Sequence, residues 1–393
     1  MKPIGILGGG QLARMLVLEA YARGLPTTVL SQNPMDPAAQ VANDWIEGSP
    51  DRVEDVVKLL KRCSAVTFES EFYLASILEA AAKATGVAIW PKPQTMDLLR
   101  DRLSQKRLFD QHKLATAPWL SVSTKSEAES AFLKFGGAVV FKARTGGYDG
   151  YGTTVVRNER ELKSFVAEIE KQTGSPGFIG ERLIPFEREL AMILARDQSG
   201  NIIEFPLVES KQVDSRCLWV AGPAGVAKKS KASNEKMKLR LKKFLKSVDY
   251  VGAMGVEFFE VDGEILINEI APRVHNTGHY TQAAMSFNQF TAHLFAVGGL
   301  KLEKPVLRAP NFAMWNLLGS TKPLSTYLTP WLQELPEKPV IQTTVHWYGK
   351  HETRPGRKLG HINLLATAKS VSQSALLKAA KSSATSLAKK TGY

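Results

Sequence analysis

The sequence predicts an α/β protein that starts with a Rossmann-like parallel sheet and continues into domains built around antiparallel strands. Three observations predict this fold. The N-terminal residues have the pattern of a strand, a GGG turn, a helix and a second strand. In VVFKARTGGYDGYG, a glycine-rich turn follows a strand that carries a lysine. The segments MGVEFFEV and ILINEIAPR have the pattern of two strands joined at an Asp-Gly turn. At roughly one domain per 150 residues, a chain of 393 residues is expected to form two to three domains.

The N-terminal stretch carries the pattern of a βαβ unit. We predict a strand at residues 4–7, a helix at 11–22 and a second strand at 27–30. Gly8, Gly10 and Ala13 match the G-x-G-x-x-G/A dinucleotide-binding form, which predicts an anion at the N-terminus of the helix. Residues 31–33 (SQN) lack the acid that binds the ribose of NAD, which favours another phosphate compound. The alternative is that GGG is a simple turn.

Residues 66–71 (VTFESE) are predicted to form a third strand, with Glu69 and Glu71 on one face at its end. Ligands bind at this edge of a parallel sheet, so the two carboxylates could accept hydrogen bonds from an amine or a hydroxyl group; otherwise they are solvated edge residues. The WPKP motif at 90–93 forces an extended connection, and we place the first domain boundary near it. A helix is predicted to follow at 96–111.

The glycine-rich segment at 139–152 has the composition of a polyphosphate-binding flap. Glycines at 146, 147, 150 and 152 allow backbone N–H groups to converge on anionic oxygens, and Lys142 and Arg144 add positive charge. The density of glycine also predicts a mobile segment. The alternative is an ordinary turn.

Acidic residues in the later strands form a candidate metal site. Strands are predicted at 178–184, 205–209, 253–259 and 265–270, and a helix at 234–247. Pairing across the turn at 261–264 would bring Glu257 and Glu269 toward the same ligand, and Asn268 adds an amide oxygen. Mg²⁺ prefers hard oxygen ligands and usually takes one or two protein carboxylates, with phosphate and water completing its shell. The alternative is an exposed strand with surface ion pairs.

Two basic loops follow the acidic strands. The first, PRVHNTGH, contains Arg273, His275 and Asn276. The guanidinium of Arg273 can bind an oxyanion through two hydrogen bonds, and the imidazole of His275 and the amide of Asn276 can stabilise developing charge. The second, YGKHETRPGRKLGH, could hold a phosphate monoester by charge and turn geometry, or could be a solvated turn. Its basic residues are Lys350, Arg354, Arg357 and Lys358.

The net charge of +13 lies in two short segments. Residues 228–246 hold nine Lys or Arg and one Glu, and residues 369–393 hold five Lys and no acid, which accounts for the whole excess. The first segment has apolar residues at helical spacing, and its single aromatic residue, Phe244, belongs to this apolar set, so no aromatic residues are interleaved with the lysines for base stacking. We therefore predict a solvated helix face and no specific nucleic-acid partner.

Neither a disulfide framework nor a membrane span is predicted. Cys63 and Cys217 lack the spacing of metal ligands and are expected to be buried thiols. No apolar run approaches the ~18 residues of a membrane span, and the N-terminus does not resemble a signal peptide. The expectation is a soluble, cytoplasmic protein.

Six motifs together resemble those of one enzyme family. They are GILGGGQLARML, FESEF, KARTGGYDGYG, ERLIPFERELA, INEIAPRVHNTGHYT and HWYGKHETRPGRKLGHINL. In this order and spacing, over roughly residues 1–365, they resemble the 5-(carboxyamino)imidazole ribonucleotide synthases, ATP-grasp enzymes of purine biosynthesis. RTGGYDG and APRVHN are specific to this branch, whereas the lysine and glutamate positions alone are shared by ATP-grasp ligases in general.

The resemblance implies a fold and a reaction. It implies a Rossmann-like domain at 1–95, an ATP-grasp domain at 96–300 with a lid at about 117–185, and a small C-terminal domain at 301–393 with a basic tail. The implied enzyme is an ATP-dependent carbon–nitrogen ligase. ATP, Mg²⁺ and bicarbonate would form carboxyphosphate, and the amine of 5-aminoimidazole ribonucleotide would capture its CO₂ equivalent, with release of ADP and phosphate. The resemblance also suggests a homodimer.

The resemblance assigns roles to individual residues. The ATP-binding set is Arg102, Lys142, Gly147, Tyr148, Asp149, Gly150, Tyr151, Gly152, Thr153, Glu181, Arg182, Leu183, Ile184, Glu189, Gln212, Asn268 and Glu269. The metal ligands are Glu257 and Glu269. The residues bordering the nucleotide substrate are Gly10, Gln11, Leu12, Glu69, Glu71, Lys350, Arg357 and Lys358. The catalytic set is Arg273, His275, Asn276, Tyr148 and Asp149.

Two positions depart from the family pattern. Tyr151 replaces the usual Lys or Arg after GYDG, and Gln212 stands at a usual histidine position, so the contacts at both positions stay open. Two other functions also stay open. One is a nicotinamide-dependent dehydrogenase built on Gly8, Gly10 and Ala13, and the other is a sister ATP-grasp ligase with a different acyl acceptor.

Overall fold

The N-terminal unit is a parallel sheet flanked by helices. The computed structural model describes residues 2–147, 151–171, 176–320 and 340–391. Within them, the first sheet has five parallel strands in the order β3-β2-β1-β4-β5. Its elements are β1 (Ile4–Leu7), α1 (Gln11–Ala22), β2 (Thr27–Ser31), β3 (Asp44–Glu47), α2 (Val53–Arg62), β4 (Ala65–Phe68), α3 (Ala75–Thr85) and β5 (Ala88–Ile89). The predictions for the first strand and helix are confirmed, and the second strand is one residue longer than predicted.

The prediction for the third strand is wrong at its end. Strand β4 stops at Phe68, and Glu69 and Glu71 lie in the loop beyond it. The chain leaves the sheet there because the Glu69 carboxylate binds the start of α1, whereas Glu71 binds Arg273. The two carboxylates therefore have different partners and do not share a strand face.

The helix predicted at 96–111 is two helices, α4 (Pro93–Arg100) and α5 (Arg102–Gln111). They meet at Asp101, whose backbone is extended (φ −85°, ψ 115°). Its carboxylate accepts hydrogen bonds from the N–H groups of Leu103 at 2.8 Å and Ser104 at 3.4 Å. An Asp in this position satisfies backbone donors that the first helical turn leaves free, so it starts a new helix.

A smaller antiparallel sheet carries the glycine-rich segment between two of its strands. Its described strands lie in the order β6-β9-β7-β8. The elements are β6 (Trp119–Val122), α6 (Lys125–Lys134), β7 (Val139–Ala143), β8 (Thr153–Val156), α7 (Glu159–Lys171) and β9 (Phe178–Arg182). Phe165 packs α7 onto the sheet, with its ring 4.0 Å from that of Phe141 and 5.2 Å from that of Phe178. The strand predicted at 178–184 ends two residues early.

The largest sheet is antiparallel and joins the middle of the chain to its C-terminal part. Its described strands lie in the order β15-β14-β10-β12-β13-β16-β18-β17, with β11 beside β10. The elements are β10 (Arg188–Arg196), β11 (Ile202–Glu204), β12 (Val208–Val213), β13 (Arg216–Gly222), α8 (Lys231–Ser247), β14 (Gly252–Val261), β15 (Glu264–Ala271), α9 (Thr281–Ala284), α10 (Gln289–Val297), β16 (Phe312–Leu318), β17 (Ile341–Trp347), β18 (Lys358–Ala366) and α11 (Gln373–Thr391). Trp219 of β13 pairs with Trp315 of β16. The C-terminal strands therefore extend the sheet that carries the acidic hairpin.

Predictions for the central strands are partly confirmed. The strand predicted at 205–209 starts too early: residues 205–207 connect β11 to β12, which begins at Val208, and Pro206 has no N–H to donate to a strand ladder. The hairpin is confirmed with longer strands, and its turn places Asp262 and Gly263 at φ 48° and 83°. Such left-handed conformations suit an Asp-Gly pair in a two-residue hairpin turn. The helix predicted at 234–247 is confirmed and begins three residues earlier.

The expectations drawn from charge and cysteine content agree with the structure. The apolar side of α8 is buried through Met237, Leu241, Phe244 and Leu245. Its lysines at 236, 243 and 246 are exposed, as predicted for a solvated helix face. Cys63 and Cys217 are buried thiols, as expected. In the part of the chain that the structure describes, no helix combines the length and the apolar character needed to cross a bilayer.

One hydrophobic core holds the N-terminal unit against the large sheet, where α1 packs on α10. His293 of α10 ties the two sheets together. Its Nδ1 accepts the N–H of Ala253 in β14 at 3.0 Å, and its Nε2 lies 2.7 Å from the hydroxyl of Thr67 in β4. Because Nδ1 is an acceptor, the neutral ring carries its proton on Nε2 and donates it to Thr67.

Acidification is expected to destabilise the fold because His293 must stay neutral in the folded protein. Burial lowers the pKa of His293 to about 4, below the ordinary value of 6.5. As the pH falls from about 6.5 to about 4, the unfolded chain binds a proton that the folded protein does not. The free energy of unfolding should therefore decrease by up to about 1.4 kcal/mol per pH unit from this residue alone.

Urea denaturation of the wild type and of His293→Gln between about pH 7 and pH 5 measures this effect. Other titrating groups cancel in the difference between the two proteins. The wild type should be the more stable protein near neutral pH, and its advantage should shrink as the pH falls. An advantage that stays constant over this range would show that His293 does not titrate as its contacts require.

Candidate active site

Two glutamates face each other on neighbouring strands of the large sheet. Glu257 of β14 is the cross-strand partner of Glu269 of β15, and the strand register shifts directly after Glu257. Burial, together with the charges of Glu269 and Glu189, raises the pKa of Glu257. Burial also acts to raise the pKa of Glu269, but Arg102 and Lys142 outweigh it and hold the pKa below its ordinary value.

This acidic pair fits a divalent cation. Two partly buried carboxylates at adjacent positions repel each other, and an ion with hard-oxygen preference between them would remove that repulsion. Among the described residues, no three His, Cys, Asp or Glu side chains lie close enough to bind a metal together. The hairpin itself offers two carboxylates, the number that Mg²⁺ usually takes when phosphate oxygens complete its coordination.

Arg102 connects the acidic pair to the base of the glycine-rich segment. Its Nη2 lies 3.2 Å from Glu269 Oε2, and its Nη1 donates to the carbonyl of Ala143 at 2.9 Å. A Cβ at Gly147 would lie 2.3 Å from Nη1 of Arg102. Glycine is therefore required at 147 for the guanidinium to pass this close to the flap backbone.

Lys142, the lysine predicted to bind phosphate, lies at the centre of a buried charge cluster. Its Nζ lies 2.5 Å from Glu181 Oε2 and 2.8 Å from Asn268 Oδ1. The other oxygen of Glu181 pairs with Lys106. Burial acts to raise the pKa of Glu181, but the two lysines outweigh it and hold the pKa at about 2. Sequence reasoning missed Lys106, because the motifs around it concern the neighbouring Arg102.

The structure describes the glycine-rich flap up to residue 147 and again from residue 151. Gly146 and Gly152 have φ values of 75° and 73°, and the N–H of Ala143 donates to the Gly152 carbonyl at 2.7 Å. Tyr151 is exposed, and Thr153 pairs with Lys142 across β7 and β8. The predicted residues that lie outside the described part of the chain are Tyr148, Asp149 and Gly150.

Arg144 binds other groups of the protein, whereas the sequence predicts that it binds phosphate. Its guanidinium binds the Asp101 carboxylate through both Nε and Nη2, with Nε to Oδ1 at 3.1 Å, and Nη1 donates to the Pro176 carbonyl at 2.9 Å. Asp101 is the residue that caps α5. Arg144 therefore anchors the flap strand to the helix start, and its expected contact with phosphate stays a prediction.

Aromatic and polar groups adjoin the acidic pair. Phe259, two residues after Glu257 on the same strand, stacks on the half-exposed Phe186, with ring centroids 4.6 Å apart at 8°. Glu189 is the cross-strand partner of Phe259 and accepts the N–H of Gln212 at 3.2 Å. Gln212 Nε2 also lies 3.5 Å from Glu257 Oε1. Gln212 thus contacts two of the predicted acidic residues. The Phe186–Phe259 pair is a flat apolar surface that the sequence analysis did not predict.

The connection between β9 and β10 contains the remaining predicted ATP-binding residues. Arg182 ends β9 and is exposed, whereas Leu183 and Ile184 are half-buried. They precede Phe186 and lie between Glu181 and Glu189. This short segment therefore links the small sheet to the large one beside the aromatic pair.

The N-terminus of α1 holds a carboxylate of the protein itself. Glu69 accepts hydrogen bonds from the N–H of Gly10 and, at 3.1 Å, from the N–H of Ala13. A Cβ at Gly8, where φ is 103°, or at Gly10 would lie 2.8 or 2.6 Å from Glu69 atoms. Burial raises the pKa of Glu69, while these N–H groups act to lower it. The glycine motif therefore accommodates Glu69, and the expectation of a bound phosphate at this helix end is wrong.

The predicted anion loop is held from two sides. Arg273 binds Glu71 through two hydrogen bonds, with Nη2 to Oε1 at 3.0 Å. The backbone N–H of His275 donates to Gln289 Oε1 at 2.9 Å, and His275 Nδ1 lies 2.8 Å from the Thr277 hydroxyl. A Cβ at Gly255 would lie 2.4 Å from the Cβ of His275. The backbone of β14 thus approaches the loop so closely that only glycine fits there.

Asn276 is paired with a strand from the C-terminal part of the chain. Its Nδ2 donates to Asn316 Oδ1 at 3.0 Å, and Asn316 Nδ2 donates back to Asn276 Oδ1 at 2.7 Å. Asn316 also donates to the carbonyl of Cys217 at 2.8 Å. The reciprocal amide pair fixes the orientation of Asn276 and joins the anion loop to β16.

The second basic loop lies over the N-terminal unit. The carbonyl of Gly349 accepts a hydrogen bond from Gln40 Nε2 at 2.8 Å, and Lys350 Nζ lies 5.8 Å from the centre of the Tyr348 ring. The charge of Lys350 acts to lower the pKa of Glu69, and Lys358 does the same at Glu257. The remaining basic residues are Arg357, partly buried and 3.8 Å from Glu352, and Arg354, which is exposed.

Comparisons with known proteins agree with this architecture. Family models match in sequence order: the ribonucleotide synthetase preATP-grasp domain at residues 1–100, the ATP-grasp domain at 107–290 and the phosphoribosylaminoimidazole carboxylase C-terminal domain at 313–374. A parallel preATP-grasp sheet followed by an ATP-grasp domain defines the class of the protein, an ATP-dependent carbon–nitrogen ligase.

Individual relatives narrow the assignment. The N5-carboxyaminoimidazole ribonucleotide synthase of Synechococcus elongatus is 37% identical over 93% of this chain and 89% of its own length, and that of Brucella melitensis is 35% identical over 92% and 96%. The Staphylococcus aureus N5-carboxyaminoimidazole synthetase complexed with ADP has a TM-score of 0.86 at 28% identity, covering 98% of this chain and 97% of that one. The Aspergillus clavatus N5-carboxyaminoimidazole synthase in complex with ADP and 5-aminoimidazole ribonucleotide has a TM-score of 0.84 at 28% identity, covering 99% and 98%. The chain belongs to the N5-carboxyaminoimidazole ribonucleotide synthase family.

Proposed function

We propose that this site carries out the reaction of its family: N-carboxylation of 5-aminoimidazole ribonucleotide in purine biosynthesis, with ATP and bicarbonate consumed and ADP and phosphate released. The observation that carries the proposal is the facing pair Glu257 and Glu269, flanked by Arg102 and Lys142 at the base of a glycine-rich flap. Carboxylates for a cation beside cationic groups for phosphates are the parts that phosphoryl transfer from ATP to bicarbonate requires.

On the nucleotide side, Glu257 and Glu269 would hold Mg²⁺, which when bound neutralises charge on the ATP phosphates. Arg102 and Lys142, which lie beside Glu269 and Asn268, bind phosphate oxygens beneath a flap formed by residues 147–152. The Phe186–Phe259 pair offers a flat surface for the adenine, next to Leu183 and Ile184. Glu189, held by the N–H of Gln212, accepts hydrogen bonds from the ribose. The remaining ATP-binding proposals are Tyr148, Asp149, Gly150, Tyr151, Thr153, Glu181, Arg182 and Asn268.

On the substrate side, the basic loop takes the phosphate of the ribonucleotide through Lys350, Arg357 and Lys358. Glu69, fixed by the start of α1, presents its carboxylate to substrate hydroxyl or amine groups, beside the turn from Gly10 to Leu12. Lys350 therefore has two roles: it binds the phosphate of the ribonucleotide, and its charge stabilises the ionised carboxylate of Glu69.

Bicarbonate and carboxyphosphate are proposed to bind at the anion loop. Arg273 is oriented by Glu71, the ring of His275 by Thr277 and Asn276 by Asn316, so the three side chains have fixed partners before any ligand arrives. Tyr148 and Asp149 of the flap complete the proposed catalytic set. Carboxyphosphate hydrolyses readily, so closure of the flap would protect it from water.

The organisation proposed for the whole chain follows the sequence analysis. We propose a Rossmann-like domain at 1–95, an ATP-grasp domain at 96–300 with a lid at about 117–185, and a small C-terminal domain at 301–393. We also propose a cytoplasmic homodimer that acts on small molecules, without a specific nucleic-acid or membrane partner. Size-exclusion chromatography with light scattering tests the dimer directly.

ADP release is expected only when 5-aminoimidazole ribonucleotide is present together with ATP, Mg²⁺ and bicarbonate. A coupled assay for ADP, run with each component omitted in turn, measures this dependence. Release that ignores the ribonucleotide, or that responds to another acyl acceptor, would point to a sister ligase. The dehydrogenase alternative is disfavoured because Glu69 occupies the helix end that a dinucleotide would need, and calorimetry with NAD should show no saturable binding.

A further inference from the structure

Lys106 is a buried cation that the proposed reaction does not use directly. It lies on α5, and only 2% of the residue is exposed. Its ammonium group pairs with Glu181 and donates to the hydroxyl of Thr116, which in turn donates to the carbonyl of Ile267 at 2.7 Å. The ammonium also lies 5.6 Å from the centre of the Phe109 ring. With these partners on all sides, Lys106 has no route to a bound nucleotide.

We propose that Lys106 is a positioning residue for ATP binding, which acts by neutralising Glu181 so that the charge of Lys142 stays available to the nucleotide phosphates. This inference rests on the proposed function of the site. It concerns a residue outside the ATP-binding set that the sequence motifs define.

The charge balance of the cluster carries the argument. One carboxylate, Glu181, lies between two ammonium groups, so the three side chains together carry one positive charge. Lys106 is on the buried side, with 3% of its side chain exposed, and Lys142 is on the site side, with 12% exposed. Without Lys106, Glu181 and Lys142 would form a closed, neutral pair. The attraction of the site for a polyphosphate would then fall, and it would fall strongly because little water screens these groups.

The cluster also sets where the charge of Lys142 lies. Lys142 belongs to β7 and Glu181 to β9, both in the small sheet, whereas Lys106 belongs to α5 and Asn268 to β15 of the acidic hairpin. Glu181 and Asn268 hold Lys142 Nζ at 2.5 and 2.8 Å. The pairing of Lys106 with Glu181 therefore anchors one of the two groups that place Lys142 next to the proposed metal ligands.

Calorimetric titration of MgADP into the wild type, Lys106→Met and Arg107→Met tests the proposal. Arg107 is the matched control, an exposed cation on the next position of the same helix. Lys106→Met should weaken MgADP binding by about tenfold or more and raise KM for ATP, with KM for the ribonucleotide unchanged. Arg107→Met should bind within about twofold of the wild type, because an exposed charge is screened.

The double variant Lys106→Met with Glu181→Gln separates a charge effect from a packing effect. It is compared with Glu181→Gln alone. Without the Glu181 carboxylate, Lys106 has no charge to neutralise, so adding Lys106→Met should weaken MgADP binding by no more than about threefold, against tenfold or more in the wild type. Lys106→Gln keeps the hydrogen bond to Thr116 and serves as the second charge-removing variant if the methionine variant does not fold.

Each outcome decides a separate point. Unchanged MgADP binding in the Lys106 variants, or a loss from Lys106→Met that is as large in the Glu181→Gln background as in the wild type, would overturn the positioning role while leaving the proposed function intact. Failure of the wild type itself to bind MgADP would overturn the proposed function, and this inference with it. Circular dichroism spectra of all variants check that the comparison is between folded proteins.

Discussion

Glu269→Gln is expected to lower the rate of ADP formation by about a thousandfold, because removing a metal-binding charge from a phosphoryl-transfer site costs several kcal/mol of transition-state stabilisation. Glu269 faces Glu257 across the hairpin and accepts a hydrogen bond from Arg102 at 3.2 Å. Glutamine has nearly the same volume, so the fold should be retained. Steady-state ADP release in the complete reaction mixture measures the loss.

Glu264→Gln is the matched control for this experiment. Glu264 begins the same strand, is exposed, and accepts a hydrogen bond from the Ser233 hydroxyl at 2.9 Å, which a glutamine oxygen can also accept. The control variant should keep activity within about twofold of the wild type, since an exposed charge contributes little. Wild-type turnover by Glu269→Gln would make Glu269 a structural residue and would remove the central support for the proposed function.

Arg273→Met is expected to destabilise the folded protein by about 3–5 kcal/mol, because it leaves the carboxylate of Glu71 buried without its partner. The side chains of this pair are only 18% and 14% exposed, and two hydrogen bonds join them. The pair links the loop after β4 to the loop after β15, so its loss should loosen the contact between the N-terminal unit and the large sheet. Urea denaturation gives the free energy of unfolding.

A double variant distinguishes an unpaired charge from lost packing. Arg273→Met combined with Glu71→Leu removes both charges, so it should be more stable than Arg273→Met alone. Lys229→Met, which breaks the surface pair with Glu187 (53% and 44% exposed), should leave the free energy of unfolding nearly unchanged, because solvent screens an exposed pair. If the two changes at Arg273 and Glu71 were simply additive, the buried-pair explanation would be wrong.

Much of the fold follows from local patterns in the sequence. The first strand and helix have the predicted limits, and the acidic hairpin forms around its Asp-Gly turn. These predictions succeed because each depends on the periodicity or turn chemistry of fewer than about twenty neighbouring residues. The errors at Asp101, at Phe68 and at Pro206 are also local. A helix cap and a loop each ended an element that apolar periodicity would have continued, and a missing donor delayed the start of another.

Predictions for the site also succeeded where they depended on neighbouring residues and failed where they depended on distant ones. Alternation along two paired strands was enough to place Glu257 opposite Glu269. It could not show that Glu69 fills the helix end, that Arg144 binds Asp101, or that Asn276 pairs with Asn316, because each of these contacts joins residues 40 or more positions apart. The ion pair of Lys106 with Glu181 is of the same kind, and no spacing in the sequence marks it.

The sequence by itself determined the kinds of groups present at this site: the acidic hairpin, the glycine-rich flap, the lysine before it and the two basic loops. Only the tertiary structure decided which charged group lies against which, and so which cations are left to meet a ligand. The physical reason is that the electrostatic balance of a buried site depends on distances of a few ångströms between side chains. Those distances follow from the packing of helices and sheets and not from the order of residues along the chain.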